Sequence, residues 1–146
     1  MAKIFFNNNG ISPRLKNKAL LKNFLETIFL EEKVDFERVS YIFCTDKFLH
    51  KLNLEYLNHD TLTDVITFTL SETSLPVISE IYISVERVEE NAKKFEKDLQ
   101  NEMLRVMIHG ILHLCGFSDH TPKLKISMRN REDYYLNKYN TLSANK

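Results

Sequence analysis

The sequence predicts a single domain of the α+β class, for three reasons. Segments rich in β-branched and aromatic residues, typical of strands, are mixed with amphipathic segments typical of helices, and the two do not alternate strictly. The chain has 146 residues, 43% of them hydrophobic, which is enough for one compact core. Only three Gly and three Pro occur, so no linker is indicated. We therefore expect a single domain over residues 1–146, with a small mixed β-sheet flanked by helices.

The first half of the chain predicts two strands, each followed by a helix. Ser12 and Pro13 have the pattern of a helix N-cap followed by proline at the first helical position. Thr45 and Asp46 can cap a second, shorter helix. In chain order, the expected elements are a strand at 3–7, a helix from 13 to about 30, a strand at 39–44 and a helix at 46–56.

Two further strands and an amphipathic helix are expected in the next segment. Residues 65–70 (VITFTL) have few polar positions, which favours a strand in the interior of the sheet. Residues 81–85 (IYISV) are its expected neighbour. Residues 86–97 then form a helix, and its apolar side chains, which we expect to pack inward, are Val88, Ala92 and Phe95.

The last two helices are expected to differ in burial. Residues 99–115 become apolar almost all round from Val106 onward, which predicts a central, buried helix. Gly116 can end this helix in a left-handed conformation. Thr121 and Pro122 then begin a final helix with one apolar face. The side chains of that face are Leu124, Met128, Tyr135 and Leu136.

Composition restricts the location of the protein more than its partners. Lys plus Arg and Asp plus Glu both number 20, so net charge indicates no polyanionic partner. The two cysteines, Cys44 and Cys115, each lie in an apolar run, which favours buried, reduced thiols. The first ten residues lack the apolar stretch of a signal peptide, and no apolar run approaches the roughly 20 residues needed to cross a bilayer. We expect a cytoplasmic protein with no membrane partner.

Candidate metal ligands lie where the buried helix ends. His109 and His113 are four residues apart, so both imidazoles project from one face of the helix, about 6 Å apart along its axis. Gly116 lets the chain reverse and bring Asp119 or His120 toward the pair. Three such donors and one open position are typical of a catalytic transition metal. The pattern predicts one Zn²⁺, or another divalent transition metal ion, held by these residues.

The histidine pair has two other interpretations. The imidazoles can satisfy hydrogen bonds in the core without a metal, although a buried apolar helix gives them little other reason to be there. The spacing is also that of the zincin proteases, so a zincin-like metal helix is expected. However, Gly110 stands where those enzymes carry the glutamate that serves as general base. A peptidase would therefore lack its proton acceptor.

The motif HGILHLCGFSDH at 109–120 resembles the signature of the YbeY family, metal-dependent single-strand endoribonucleases that mature ribosomal RNA. A second segment also resembles this family, in the loop and strand that line its cleft. The matching residues are LNLEY at 52–56, Asp60 and TDVITF at 63–68. EIYIS at 80–84, with a helix after it, resembles the family's next strand and helix. The likeness covers most of residues 40–120 and, by the order of elements, the whole chain.

Two positions depart from the pattern of this family. Its third histidine stands six residues after the second, where this chain has Asp119, and His120 follows one residue later. Position favours Asp119 as the third ligand, whereas the donor preference of zinc favours His120, so both are candidates. Leu57 stands where members often carry an arginine thought to act on RNA. That role would pass to another residue, such as His59 or Lys51.

The resemblance implies hydrolysis of phosphodiester bonds in single-stranded ribosomal RNA, with the ribosome or its proteins as further partners. Besides His109 and His113, two residues are implied in catalysis. Asp64 can orient a water or a histidine ring, or else cap backbone amides. His59 can contact phosphate or the leaving group, or else be a solvated loop residue. The rival functions are a metal-dependent hydrolase of peptides or amides, and a non-catalytic ribosome-associated factor with a structural metal.

Several charged and aromatic side chains can either contact nucleic acid or have a purely structural role. The cations on the two amphipathic helices form either a solvated face or a contact for nucleic acid. They are Arg87, Lys93, Lys94, Arg129 and Arg131. Phe117 and Tyr56 can stack on bases or pack in the core.

Overall fold

The elements of the chain follow one another in a mixed order of strands and helices. The computed structural model describes residues 2–57 and 63–144. Within these ranges the elements are β1 (Lys3–Asn8), α1 (Lys18–Glu31), β2 (Phe36–Cys44), α2 (Asp46–Leu57), β3 (Val65–Thr69), β4 (Val77–Ser84), α3 (Val85–Lys94), α4 (Leu99–Leu114) and α5 (Pro122–Ala144). The expected α+β class is confirmed.

The described strands form one mixed sheet in the order β1-β2-β4-β3. β1, β2 and β4 run parallel, and β3 is antiparallel to β4. The pairing of β3 with β4 was predicted, but the expected interior position of β3 is wrong, since β3 is an edge strand. Its apolar sequence has another cause. Ile66 packs with Leu49 of α2, and Val65 packs against the main core, so apolar side chains of β3 make contacts without a second neighbouring strand.

Helix α1 begins later than the sequence pattern indicated. The Ser12 hydroxyl accepts a hydrogen bond from the backbone N–H of Arg14, and both Arg14 and Asn17 have a φ of 54°. These left-handed residues interrupt the helical path, because a left-handed conformation does not continue a right-handed helix. The helix therefore starts at Lys18, and the predicted start at Ser12 and Pro13 is wrong.

The main core lies between the sheet and helices α1, α4 and α5. Alternate residues of β2 and β4 face this core, including Tyr41 and Ile81, which are fully buried. The hydroxyl of Tyr41 donates to the backbone carbonyl of Met107 in α4 at 2.8 Å, which satisfies a buried polar group and ties α4 to the sheet. Helix α4 is the central buried helix that its sequence predicted.

Helices α2 and α3 meet at the carboxyl end of β4. Thr45 caps α2, since its side-chain oxygen accepts from the Phe48 N–H at 3.2 Å. Asp46 instead forms an ion pair with Arg87 of α3 at 2.7 Å. Helix α3 ends at Lys94, earlier than expected, and Phe95 follows at its C-cap. The expected burial of Phe95 is wrong, because 59% of its surface is exposed.

Two further features concern membrane-spanning helices and the cysteines. No helix within residues 2–57 and 63–144 is long and apolar enough to cross a membrane. Both cysteines are free, with Cys44 buried and Cys115 partly buried. Burial raises the pKa of each thiol to about 12, so neither is ionised at neutral pH.

Candidate metal centre

The histidine pair projects from α4 into an open cleft. The cleft has a volume of about 1040 Å³, and side chains of α4 line it. Residues of β3 and α5, both of which pack against α4, line it as well. This is the predicted location, between the 63–68 segment and the helix that carries His109.

Three potential ligand atoms converge at one point of this cleft. Nε2 of His109 and Nε2 of His113 are 2.9 Å apart. Oδ2 of Asp119 lies 3.6 Å from the first of these atoms and 3.8 Å from the second. All three side chains are partly buried, and their donor atoms lie within 4.8 Å of one another. The spacing of the histidines and the reversal of the chain thus bring together the residues that the sequence indicated.

The outer nitrogens of both imidazoles are held by hydrogen-bond acceptors. Nδ1 of His109 faces the Glu132 carboxylate at 2.7 Å, and Nδ1 of His113 faces the backbone carbonyl of Phe117 at 3.0 Å. Because these oxygens carry no hydrogen, each ring must place a proton on Nδ1. The lone pairs of the two Nε2 atoms then face each other, which is repulsive unless a proton or a cation lies between them. Together with the Asp119 carboxylate, this donor set fits a divalent transition metal.

The turn after α4 brings Asp119 back toward the helix. Gly116 has a φ of +99°, a conformation that L side chains rarely adopt, as its position predicted. The Phe117 N–H donates to the Leu112 carbonyl at 3.0 Å, and the Gly116 N–H donates to the His113 carbonyl at 3.1 Å. This pair of bonds is a Schellman motif, which ends the helix and reverses the chain. The same turn presents the Phe117 carbonyl to His113.

Glu132 is a site residue that the sequence analysis missed. Its carboxylate accepts from Arg105 at 2.8 Å through one oxygen and faces His109 through the other. Because Arg105 pairs with this carboxylate, the buried charge of Glu132 is compensated, and Arg105 also pairs with Asp133. A signal was present in the sequence. Glu132 lies four residues after Met128 and four before Leu136, on the stripe of α5 that was expected to pack inward.

The pKa values of the titratable groups in the cleft follow from burial and from their neighbours. Burial by itself lowers the pKa of His109, but the hydrogen bond and charge of Glu132 together outweigh it, so the pKa is raised. Burial and the neighbouring His109 lower the pKa of His113. Burial raises the pKa of the Asp64 carboxyl. The two rings are therefore electrostatically different, and a proton is held more tightly by His109.

The other sequence candidates lie in different places. His120 is exposed and lines the cleft, but it is not part of the three-donor cluster. Asp64 also lines the cleft outside that cluster. Lys51 does not line it and forms an exposed pair with Glu55 at 3.9 Å. His59 lies outside the described residues.

Comparison with known proteins identifies the family. The model of a family described as "Endoribonuclease YbeY" matches residues 5–140. The chain belongs to the YbeY family. A YbeY endoribonuclease from Amoebophilus asiaticus is 42% identical over 135 residues, which are 92% of each chain. One from Flavobacterium johnsoniae is 43% identical over 119 residues, which are 82% of this chain and 85% of the relative.

A solved structure has the same fold. The solution structure of TM1509 from Thermotoga maritima aligns with a TM-score of 0.66 and 31% sequence identity. The alignment covers 99% of this chain and 93% of that one. The order and packing of the elements are therefore shared with this solved structure over almost the whole chain.

Proposed function

We propose that this chain is a metal-dependent, single-strand-specific endoribonuclease that acts in ribosomal RNA processing and ribosome maturation in the cytoplasm. Residues 1–146 would form one hydrolase domain. The name shared by its relatives supports the reaction, since it is "Endoribonuclease YbeY". Zn²⁺ is the ion that two imidazoles and a carboxylate favour, and another divalent transition metal would also fit this set.

The observation that carries the proposal is the convergence of three donors in an open cleft. His109, His113 and Asp119 would hold the ion, because their donor atoms already lie within 4.8 Å of one another. Asp119 is preferred to His120 as the third ligand because its carboxylate lies beside both rings. Three protein ligands leave a coordination position for substrate or water, as catalytic sites require.

The neighbouring residues would prepare the site for this chemistry. When bound, the ion supplies Lewis acidity, which can activate water or polarise a phosphoryl oxygen. Glu132 and the Phe117 carbonyl fix the orientation and tautomer of the two rings. Arg105 balances the charge of Glu132, so that this carboxylate remains an acceptor for His109. Asp64 faces the same cleft, where it would orient a water, and His59 would contact phosphate.

The rival functions find less support in the described residues. A zincin peptidase needs a glutamate at the position of Gly110, where even a Cβ atom would lie 2.9 Å from Cδ1 of the buried Ile81. A structural metal usually has four protein donors, and the cluster found among residues 2–57 and 63–144 has three. The open cleft around the cluster also favours a substrate over a purely structural ion.

The test compares the wild type with His113→Ala and with a matched exposed control, Lys123→Ala. The wild type should contain one metal ion and cleave single-stranded ribosomal RNA, but not a duplex or a peptide. His113→Ala should lose both the metal and cleavage while its circular dichroism spectrum is unchanged, and Lys123→Ala should retain both. Full RNA cleavage by His113→Ala would disprove the assignment. Cleavage of peptides in place of RNA would favour the rival hydrolase.

A further inference from the structure

The cations of this protein fall into two groups with different surroundings. Most of the arginines on the helices are used within the molecule. Arg87 pairs with Asp46 at 2.7 Å, and Arg131 pairs with Glu32 at 2.6 Å. Arg105, although it lines the cleft, is compensated by Glu132 and Asp133. The charges of these arginines are therefore already paired within the molecule and are not available to an anionic ligand.

Three other cations line the cleft without an ion pair. They are Lys97, Lys125 and Arg129. None of them forms a salt bridge with a residue in the described part of the chain. Both Lys125 and Arg129 are exposed. A positively charged group that faces a cleft with no partner is available to an anionic ligand.

Two of these cations lie close to the candidate metal centre. Lys125 and Arg129 precede Glu132 by seven and three residues on α5, which is about two turns and one turn. Residues at these spacings share one side of a helix. Since Glu132 contacts His109 and the turn that carries Asp119 leads into α5, the two cations lie between these two residues along the α5 wall of the cleft. A phosphate chain that leaves the metal centre along this wall would meet both of them.

The opposite end of the cleft has a cation and an exposed aromatic ring. Phe95 and Lys97 lie just before the start of α4 at Leu99, and both line the cleft. From Leu99 to His109 the helix rises about 15 Å. Phe95 is 59% exposed, which is unfavourable for a phenyl group, and its described ring contact is with Lys94, whose Nζ lies 5.5 Å from the ring centre. A flat apolar ring beside a cation is the arrangement that binds a nucleic acid base and its phosphate.

We propose that single-stranded RNA lies along α4 in this cleft. Its phosphates would contact the three unpaired cations at the two ends, and one base would stack on Phe95. Net charge is zero for the whole chain, so affinity would come from this local group of unpaired cations. This inference rests on the proposed function, because it takes RNA as the substrate.

The first experiment measures the salt dependence of RNA binding. The full-length protein is titrated against a fluorescein-labelled, nuclease-resistant 2′-O-methyl phosphorothioate RNA, and anisotropy is followed from about 50 to about 200 mM salt. Each phosphate contact on a single strand contributes about 0.7 to the slope of log affinity against log salt concentration. Lys125→Ala combined with Arg129→Ala should therefore lower the slope by about 1.4.

A charge-matched control separates local contacts from net charge. Lys123 lies on the opposite side of α5 and Arg38 on β2, and neither lines the cleft. Lys123→Ala combined with Arg38→Ala should leave the slope close to that of the wild type. Equal slopes for the two double variants would overturn the inference, and so would a wild type that does not bind the RNA.

A separate variant tests the aromatic contact. Phe95→Ala should weaken binding about tenfold with an unchanged salt slope, because stacking involves no counterion release. Leu124→Ala is its control, since Leu124 is 40% exposed and does not line the cleft. If both variants bind like the wild type, no base stacks on Phe95.

Cleavage of natural single-stranded RNA by the same proteins distinguishes the two possible failures. The Lys125 and Arg129 double variant should raise KM with little change in kcat, because its contacts are made equally in the ground state and the transition state. If the wild type binds RNA in the cleft but never cleaves it, the proposed function is wrong, while the proposed position of the RNA along α4 is still supported. If the wild type cleaves RNA and the double variant matches its control, only the proposed position of the RNA is wrong.

Discussion

At the scale of single residues, sequence spacing predicted the candidate metal ligands better than it predicted the residues that orient them. The interval from His109 to His113 and the glycine after them are local features, so both rings and the turn could be predicted from the sequence. Glu132 was missed because it lies 23 residues from the ring that it contacts. Only the packing of α5 on α4 brings the two together, and a single acid on a charged helix does not signal such a contact.

The proposed third metal ligand is the residue on which an experiment is most informative. Asp119→Ala should lower metal affinity by at least about 100-fold, because even partners that merely orient a ligand are worth roughly 10 to 100-fold. His120→Ala should leave metal affinity unchanged, since His120 is exposed and outside the donor cluster. Isothermal titration with Zn²⁺ measures both. A loss confined to His120→Ala would exchange the roles of the two residues.

At the scale of elements, the sequence predicted which strands and helices exist more accurately than it predicted where they begin and how they are arranged. Periodicity located the strands and helices, but it did not reveal that β3 is an edge strand, because strand order depends on the topology of the whole sheet. The start of α1 was wrong because the Ser12-Pro13 pattern is local, while the left-handed residues that follow it are not apparent in the sequence. Phe95 was expected in the core, although α3 ends one residue before it.

The close contact between α4 and β4 leads to a prediction about Gly110. A methyl group there would lie 2.9 Å from Cδ1 and 3.1 Å from Cγ2 of Ile81. Gly110→Ala should therefore destabilise the protein by about 1 kcal/mol, because overpacking of 1–3 kcal/mol exceeds the gain of roughly 1 kcal/mol in helix propensity. Urea denaturation measures the free energy of unfolding.

A second substitution serves as the control for this prediction. Ile81→Val removes the Cδ1 atom that the new methyl group would approach. In the Ile81→Val background, Gly110→Ala should cost less than it does in the wild type. If the two costs are equal, the contact with Ile81 does not explain why glycine occupies this position.

At the scale of the whole molecule, ion pairs join the first helix to the last. Lys138 Nζ lies 2.6 Å from Oε1 of Glu31, and Arg131 binds both Glu31 and Glu32. Tyr135 also donates to Glu32. Helices α1 and α5 both pack against α4, so these ion pairs link two helices that already share a packing partner.

The pairing of Glu31 predicts how stability depends on pH. The hydrogen bond from Lys138 is the main cause that lowers the pKa of Glu31. A carboxylate with a lowered pKa stabilises the fold above its unfolded pKa, and this contribution is lost as pH falls through the folded value. Lys138→Met should cost about 0.5 kcal/mol near neutral pH, since the pair is partly exposed.

This cost should disappear as the solution is acidified. Between about pH 6 and about pH 3, the difference in unfolding free energy from the wild type should shrink, because protonated Glu31 gains little from Lys138. Urea denaturation across this range provides the measurement. Lys123→Met, at an exposed lysine with no ion pair among the described residues, should show no such trend. A difference that is constant with pH would mean that Lys138 stabilises the protein by packing alone.

Because of the turn at Gly116, loop length determines which residue occupies the position of the proposed third metal ligand. The two hydrogen bonds of the turn fix the chain up to Phe117, so that Ser118 alone separates the fixed part from Asp119. Deletion of Ser118 would shift His120 by one place and put an imidazole where the carboxylate now lies. One lost codon would then convert the proposed ligand set of two histidines and an aspartate into three histidines, without a change in the helix that holds the other two.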